Sequence, residues 1–121
     1  MITGIKLISI NVDDQDRALE FYTRKLGFEL LDDQPMGEGE RWIEVAPSGG
    51  GSIFALTKES GAQSKIGKAV QIEFKCDDIQ ATYKELQSRG VSFTAELEKA
   101  PWGGWAAQFV DTEGNEFVLG S

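Results

Sequence analysis

VDDQDRALEFYTRKLGFEL, residues 12–30, decides the fold, because the chain repeats its pattern in CDDIQATYKELQSRGV, residues 76–91. In the first copy Asp13, Asp14 and Asp16 stand where carboxylates suit the positive end of a helix. Ala18, Phe21, Tyr22 and Lys25/Leu26 then follow helical spacing, and Gly27 sits where a helix end takes a left-handed residue. In the second copy Asp77-Asp78 caps, Ile79, Tyr83 and Leu86 recur at i, i+4 and i+7, and Gly90 closes.

Working outward, each helix is flanked by strands. Before the first, Leu7 to Val12 alternates: Ile8, Ile10 and Val12 share one face, and Leu7, Ser9 and Asn11 the other. After it, Phe28 to Leu31 reads as a strand and Asp32 to Glu40 as a loop. Arg41 to Val45 and Ser52 to Thr57 read as strands joined through Gly49-Gly50-Gly51. The order then returns: a strand over Val70–Cys76, the helix, a short strand over Val91–Phe93, a loop over Pro101–Gly104 and a strand over Trp105–Val110. A Thr112–Asn115 turn leads into Glu116–Leu119. At an offset of 63 or 64, Asp14 matches Asp78, Gly27 matches Gly90, Trp42 matches Trp105, Gly51 matches Gly114 and Phe54 matches Phe117. The expected fold is α+β: two βαβββ modules with mixed sheets, module one over 1–57, a linker over 58–68 and module two over 69–121, in a single domain. Each sheet is expected to lay its apolar face on its own helix. The mixed faces then curl into a cleft, or else pair with each other or with a second chain.

Composition narrows the chemistry. With 12 Lys+Arg against 20 Asp+Glu, the net charge of −8 disfavours nucleic acid, whose binding depends on neutralising phosphates. The absence of His removes imidazole acid–base chemistry, His-assisted nucleophiles and His zinc ligands, and a single Cys removes disulfide frameworks and CxxC sites. The longest apolar run, Ile53–Leu56, is far short of a membrane span, and MITGIKLISINVDDQD lacks a signal-peptide pattern. A soluble, cytoplasmic protein with no nucleic-acid or membrane partner is expected.

The 12–30 string resembles the first-module signature of the vicinal-oxygen-chelate superfamily, which includes glyoxalase I, extradiol dioxygenases, fosfomycin-resistance enzymes and bleomycin-resistance proteins. FKCDDIQATYKELQSRGV resembles the second-module helix, and PWGGWAAQFVDTEGNEF the closing hairpin with its Asp-x-x-Gly-Asn turn, so the likeness spans the whole chain. The resemblance implies a glyoxalase-like U-shaped cleft, usually completed in a homodimer. It also implies metal ligands on the first and last strands of each module. Those positions fall on Leu7, Ala55, Gln71 and Val118, of which only the Gln71 amide can donate, so no metal and no cofactor are expected.

The likeness, with that departure, points to the bleomycin-resistance branch: a metal-free protein that sequesters an aromatic or cationic organic ligand such as an antibiotic. Trp42, Trp105 and Trp102, the last in the PWGGW loop, offer flat faces for such a guest, and Glu44, Glu73 and Glu116 supply negative field. The tryptophans serve equally as packing or dimer anchors, and the glutamates as solvated strand charges. The alternative is a metal-dependent lyase, transferase or dioxygenase whose oxygen ligands are displaced to Ser9, Glu73 and Glu116.

Overall fold

The computed structural model describes residues 1–37, 39–58, 72–101 and 103–121. They belong to two units, Met1–Ile66 and Gly67–Ser121. Of the expected features, Gln71, Trp102 and all of the linker but Lys58 lie outside the described residues.

The first unit runs β1 (Ile8–Asn11), α1 (Gln15–Glu20) with a π-helical continuation over Phe21–Lys25, β2 (Glu29–Pro35), β3 (Arg41–Ala46) and β4 (Phe54–Thr57). The second runs β5 (Ile72–Lys75), α2 (Ile79–Ser88), β6 (Ser92–Lys99), β7 (Trp105–Val110) and β8 (Glu116–Gly120). The sheets have the same plan, β1-β4-β3-β2 and β5-β8-β7-β6. In each, the first and last strands pair in parallel and the remaining neighbours antiparallel. This is the α+β architecture of two βαβββ modules.

Both helices start as expected. The Asp14 carboxylate accepts the Arg17 N–H at 3.0 Å and the Asp78 carboxylate the Ala81 N–H at 3.0 Å. Both end on glycine with positive φ, Gly27 at 78° and Gly90 at 86°. The first helix nevertheless holds one residue more between cap and glycine than the second. That residue is absorbed in the π-helical turn, where the Leu26 N–H bonds the Phe21 carbonyl five residues back at 3.1 Å. Phe21 and Tyr22, consecutive and both buried, pack edge to face at 5.3 Å.

Each sheet buries one face under its own helix. In the first unit Ile10, Ile43, Val45, Phe54 and Leu56 are buried with Ala18, Phe21 and Tyr22, and Phe28 bridges Tyr22 and Phe54 at 5.9 and 6.0 Å. In the second, Phe109 meets Phe74, Phe93 and Phe117 at 6.2, 5.7 and 5.5 Å, and Tyr83 of α2 meets Phe93 at 4.6 Å.

Two expectations are corrected. The strand expected over Phe28–Leu31 extends to Pro35, through residues read as loop, with a register shift between Leu30 and Asp32. The short strand over Val91–Phe93 extends to Lys99, with shifts at both sides of Ala95. Each stands at an edge of its sheet, as β1 and β5 also do, but is largely exposed on both faces, so its sequence lacks the alternation that one-sided burial imposes.

Candidate functional site

Register decides which side chains share the faces turned away from the helices. In the first sheet Ser9 pairs with Ala55 and Ala55 with Glu44, and Asp32 lies opposite Glu44. In the second, Glu73 pairs with Val118 and Val118 with Gln108, and Ala95 lies opposite Gln108. Ser9 thus corresponds to Glu73, Ala55 to Val118 and Glu44 to Gln108. Leu7, half-buried, lies just before β1 with the parity of Ser9, and Glu116, exposed at the start of β8, shares the parity of Val118.

The tryptophans separate. Ile43 pairs with Leu56 as Ala107 pairs with Leu119, so Trp42 corresponds to Ala106, and Trp105 to Arg41. Trp42 lies on the open face, half-buried, and its indole Nε1–H donates to Glu44 Oε2 at 2.7 Å. Trp105 has the parity of Ala107 and Phe109, on the α2 side, and is 37% exposed. The expected Trp42–Trp105 correspondence and the open-face parity of Trp105 are therefore corrected. One residue more lies between Val45 and Phe54 than between Phe109 and Phe117, and the glycine-rich turn absorbs it.

The open face of the second sheet carries a groove of about 400 Å³, within the range of small-molecule sites. Val118, Ala95 and Ala106 supply its apolar wall, Gln108 an amide, and the end of β6 with Ala100 and Pro101 its rim. Glu73 brings a carboxylate, laid across Gly120: a Cβ at Gly120 would collide with that carboxylate. Sequence reading singled out Glu73 and Val118 here but missed Ala95, Ala106 and Gln108. The signal was present as small residues, Ala106 and Gly120, at open-face positions, legible only once β7 is in register with β8.

Other polar groups build the scaffold. Gln15, 5% exposed, donates from Nε2 to the Arg41 and Leu56 carbonyls at 2.6 and 2.9 Å and accepts the Arg41 N–H at 3.0 Å, clamping α1 to β3 and β4. The Arg41 guanidinium binds Asp33 through Nε at 3.1 Å and Nη2 at 3.2 Å, and Asp16 through Nη1 at 2.5 Å. Those hydrogen bonds, Asp33 first, push its already high pKa further up. Buried Asp111 accepts the Glu113 and Asn115 N–H groups at 2.8 and 2.9 Å, and the Asn115 amide at 2.9 Å, fixing the turn into β8. Among the described residues no three His, Cys, Asp or Glu side chains group as a metal centre requires. Leu7, Ala55 and Val118 carry no donor atom at all, so these positions do not fit the ion the resemblance implies.

A family model described as Glyoxalase/Bleomycin resistance protein/Dioxygenase superfamily matches residues 4–119. The chain belongs to this superfamily. Among relatives, Bacillus subtilis (strain 168) YetH is 35% identical over 119 residues, covering 98% of each chain. Among solved structures the superfamily fold is matched by UcmS2, 34% identical with a TM-score of 0.85, over 99% of this chain and 98% of that one. TnmS3, an antibiotic binding protein from Streptomyces sp. CB03234, is also 34% identical, with a TM-score of 0.83 over 98% of this chain and 94% of that one. No helix among the described residues is long and apolar enough to cross a membrane.

Proposed function

We propose that this chain binds and sequesters a small organic molecule, aromatic or cationic and of antibiotic type, without transforming it and without a metal. The observation that carries this reading is the groove on the second sheet. There, the position at which the superfamily resemblance implies a metal ligand is the hydrocarbon Val118, and the neighbouring Glu73 carboxylate faces a cavity of about 400 Å³. A Lewis acid needs several oxygen or nitrogen donors converging on one point, whereas a guest needs apolar wall and a few oriented polar groups. Likeness to the antibiotic binding protein TnmS3 supports the second arrangement. The net charge of −8 draws cations toward the surface.

The same reading takes the chain as one domain over residues 1–121, working in the cytoplasm as a homodimer, which light scattering at micromolar concentration checks. A thermal-shift panel of aromatic and cationic antibiotics tests the function. A ligand at 100 times its Kd stabilises the folded state by about 2.7 kcal/mol, and mass spectrometry is expected to recover it unchanged. The reading is overturned by stoichiometric manganese, iron, nickel or zinc in protein purified without chelator and lost on Glu73→Ala. That result would favour a lyase, transferase or dioxygenase with displaced ligands.

A further inference from the structure

Resting on the binding reading above and deepening it, we propose that the guest of the second-sheet groove is a planar ring of about indole size. It carries an N–H or ammonium donor turned toward Glu73, and Ala106 sets the space it fills. The repeat supplies the template. At position 42 the first sheet carries an indole on its open face, and the ring N–H is met by the Glu44 carboxylate at 2.7 Å. The second sheet has the same backbone register but a methyl group at the corresponding position 106, and glycine at 120, where the first sheet has Thr57.

The space left by Ala106 is part of the groove that it lines, while the room left by Gly120 is taken by Glu73. A carboxylate is again at hand, now from the neighbouring strand: Glu73 lies across Gly120, in the place a side chain at 120 would take. Gln108 replaces Glu44, so the acceptor beside the ring position is a neutral amide, and the negative charge comes from β5. The second module thus keeps the seat and the acceptor of the Trp42–Glu44 pair without the ring. Charge sets the sign of the preference. Glu73, Glu96 and Glu98 face the groove against Lys99 alone, a local excess of two negative charges among its lining residues.

Four probes separate ring from charge in calorimetric or NMR titrations of the whole chain: tryptamine, indole, indole-3-acetate and cyclohexylamine. Tryptamine is expected to bind about tenfold more tightly than indole-3-acetate, since one charge-assisted contact with Glu73 distinguishes them. It is also expected to bind more tightly than cyclohexylamine, which has the charge without the flat ring. Ala106→Trp is expected to abolish tryptamine binding with the melting temperature retained, because the equivalent position already carries a tryptophan in the first sheet. Ala106→Leu gives the same test with a smaller filler, and Glu73→Gln is expected to erase the difference between tryptamine and indole-3-acetate. Equal affinity of the parent for those two probes, failure to bind any of the four, or undiminished binding in a folded Ala106 variant overturns this assignment. The wider binding reading is judged separately: an antibiotic that raises the melting temperature equally in the parent and in Ala106→Trp preserves it and places its site elsewhere.

Discussion

Replacing Gln15 by alanine isolates the clamp that holds α1 on its sheet. The side chain is 5% exposed and makes three hydrogen bonds, two donated to the carbonyls of Arg41 and Leu56 and one accepted from the Arg41 N–H. Each such bond contributes about 1 kcal/mol net, and a buried group left without its partner costs about 1–3 kcal/mol. Leu56 O is buried and the Arg41 groups are partly so, which gives an expected loss of about 2–4 kcal/mol, a large share of what a domain of this size holds. The second unit supplies the control, since Ile79 fills the place that follows the cap Asp78, also 5% exposed. If burial of carbon were all that position 15 required, Gln15→Ile would be as stable as the parent. With the backbone groups orphaned, Gln15→Ile is expected to lose nearly as much as Gln15→Ala. Urea unfolding followed by far-UV circular dichroism reads the difference as a shift in midpoint at constant slope. A loss below about 0.5 kcal/mol in Gln15→Ala, or parental stability in Gln15→Ile, refutes the clamp.

Three further outcomes follow from the same structure. Gly120→Ala must displace the Glu73 carboxylate, the movable end of a side chain, so stability should change by less than about 1 kcal/mol while the charge preference of groove binding weakens; calorimetry of both quantities checks this. Asp111→Ala removes the acceptor of the Glu113 and Asn115 N–H groups and of the Asn115 amide, with an expected loss of about 2–4 kcal/mol in urea unfolding and faster hydrogen exchange in β8. Burial raises the Cys76 thiol pKa, with the Thr82 hydrogen bond opposing, so the folded chain holds that proton more tightly than the unfolded one. This contribution is intact below the unfolded thiol's value of about 8.5 and is lost as pH climbs through the folded value, so Cys76→Ser should flatten the decline in stability on the alkaline side.

The parts legible in the sequence are those with at least one well-buried face, which imposes either alternation or an apolar run. β1, β4, β7 and β8, the two capped helices and their closing glycines follow from alternation and end chemistry, and the structure places them as read. The outer strands β2 and β6 escaped because little of either face is covered, and the shifts beside Asp32 and Ala95 break what parity remains. Gln15 escaped for another reason. A glutamine in a run of capping aspartates reads as surface, and only the tertiary approach of Arg41 and Leu56 gives its amide three partners.

The site was misread in part because the two modules are not copies at constant spacing. The second module carries one extra residue between Gly90 and Ala106; the first carries one in its helix, absorbed in the π-helical turn, and another in the hairpin between β3 and β4. Neither the π-helical turn nor the hairpin is held to a fixed length by a strand ladder, so each accepts an insertion with little cost to the core. The effect on alignment is nonetheless complete, because a slip of one residue moves every side chain of a strand to the opposite face. Matching Trp42 to Trp105 pairs two indoles that face different ways, and hides the actual counterpart, an alanine. A conspicuous residue type thus drew the alignment toward identity, whereas the ladder from Phe54 and Phe117 back to Ile43 and Ala107 follows the hydrogen bonds. Followed that way, the position that matters in the second module is the one where the large residue is missing. A binding surface in a repeated fold is then found by asking where one module has lost the side chain with which the other fills its own face.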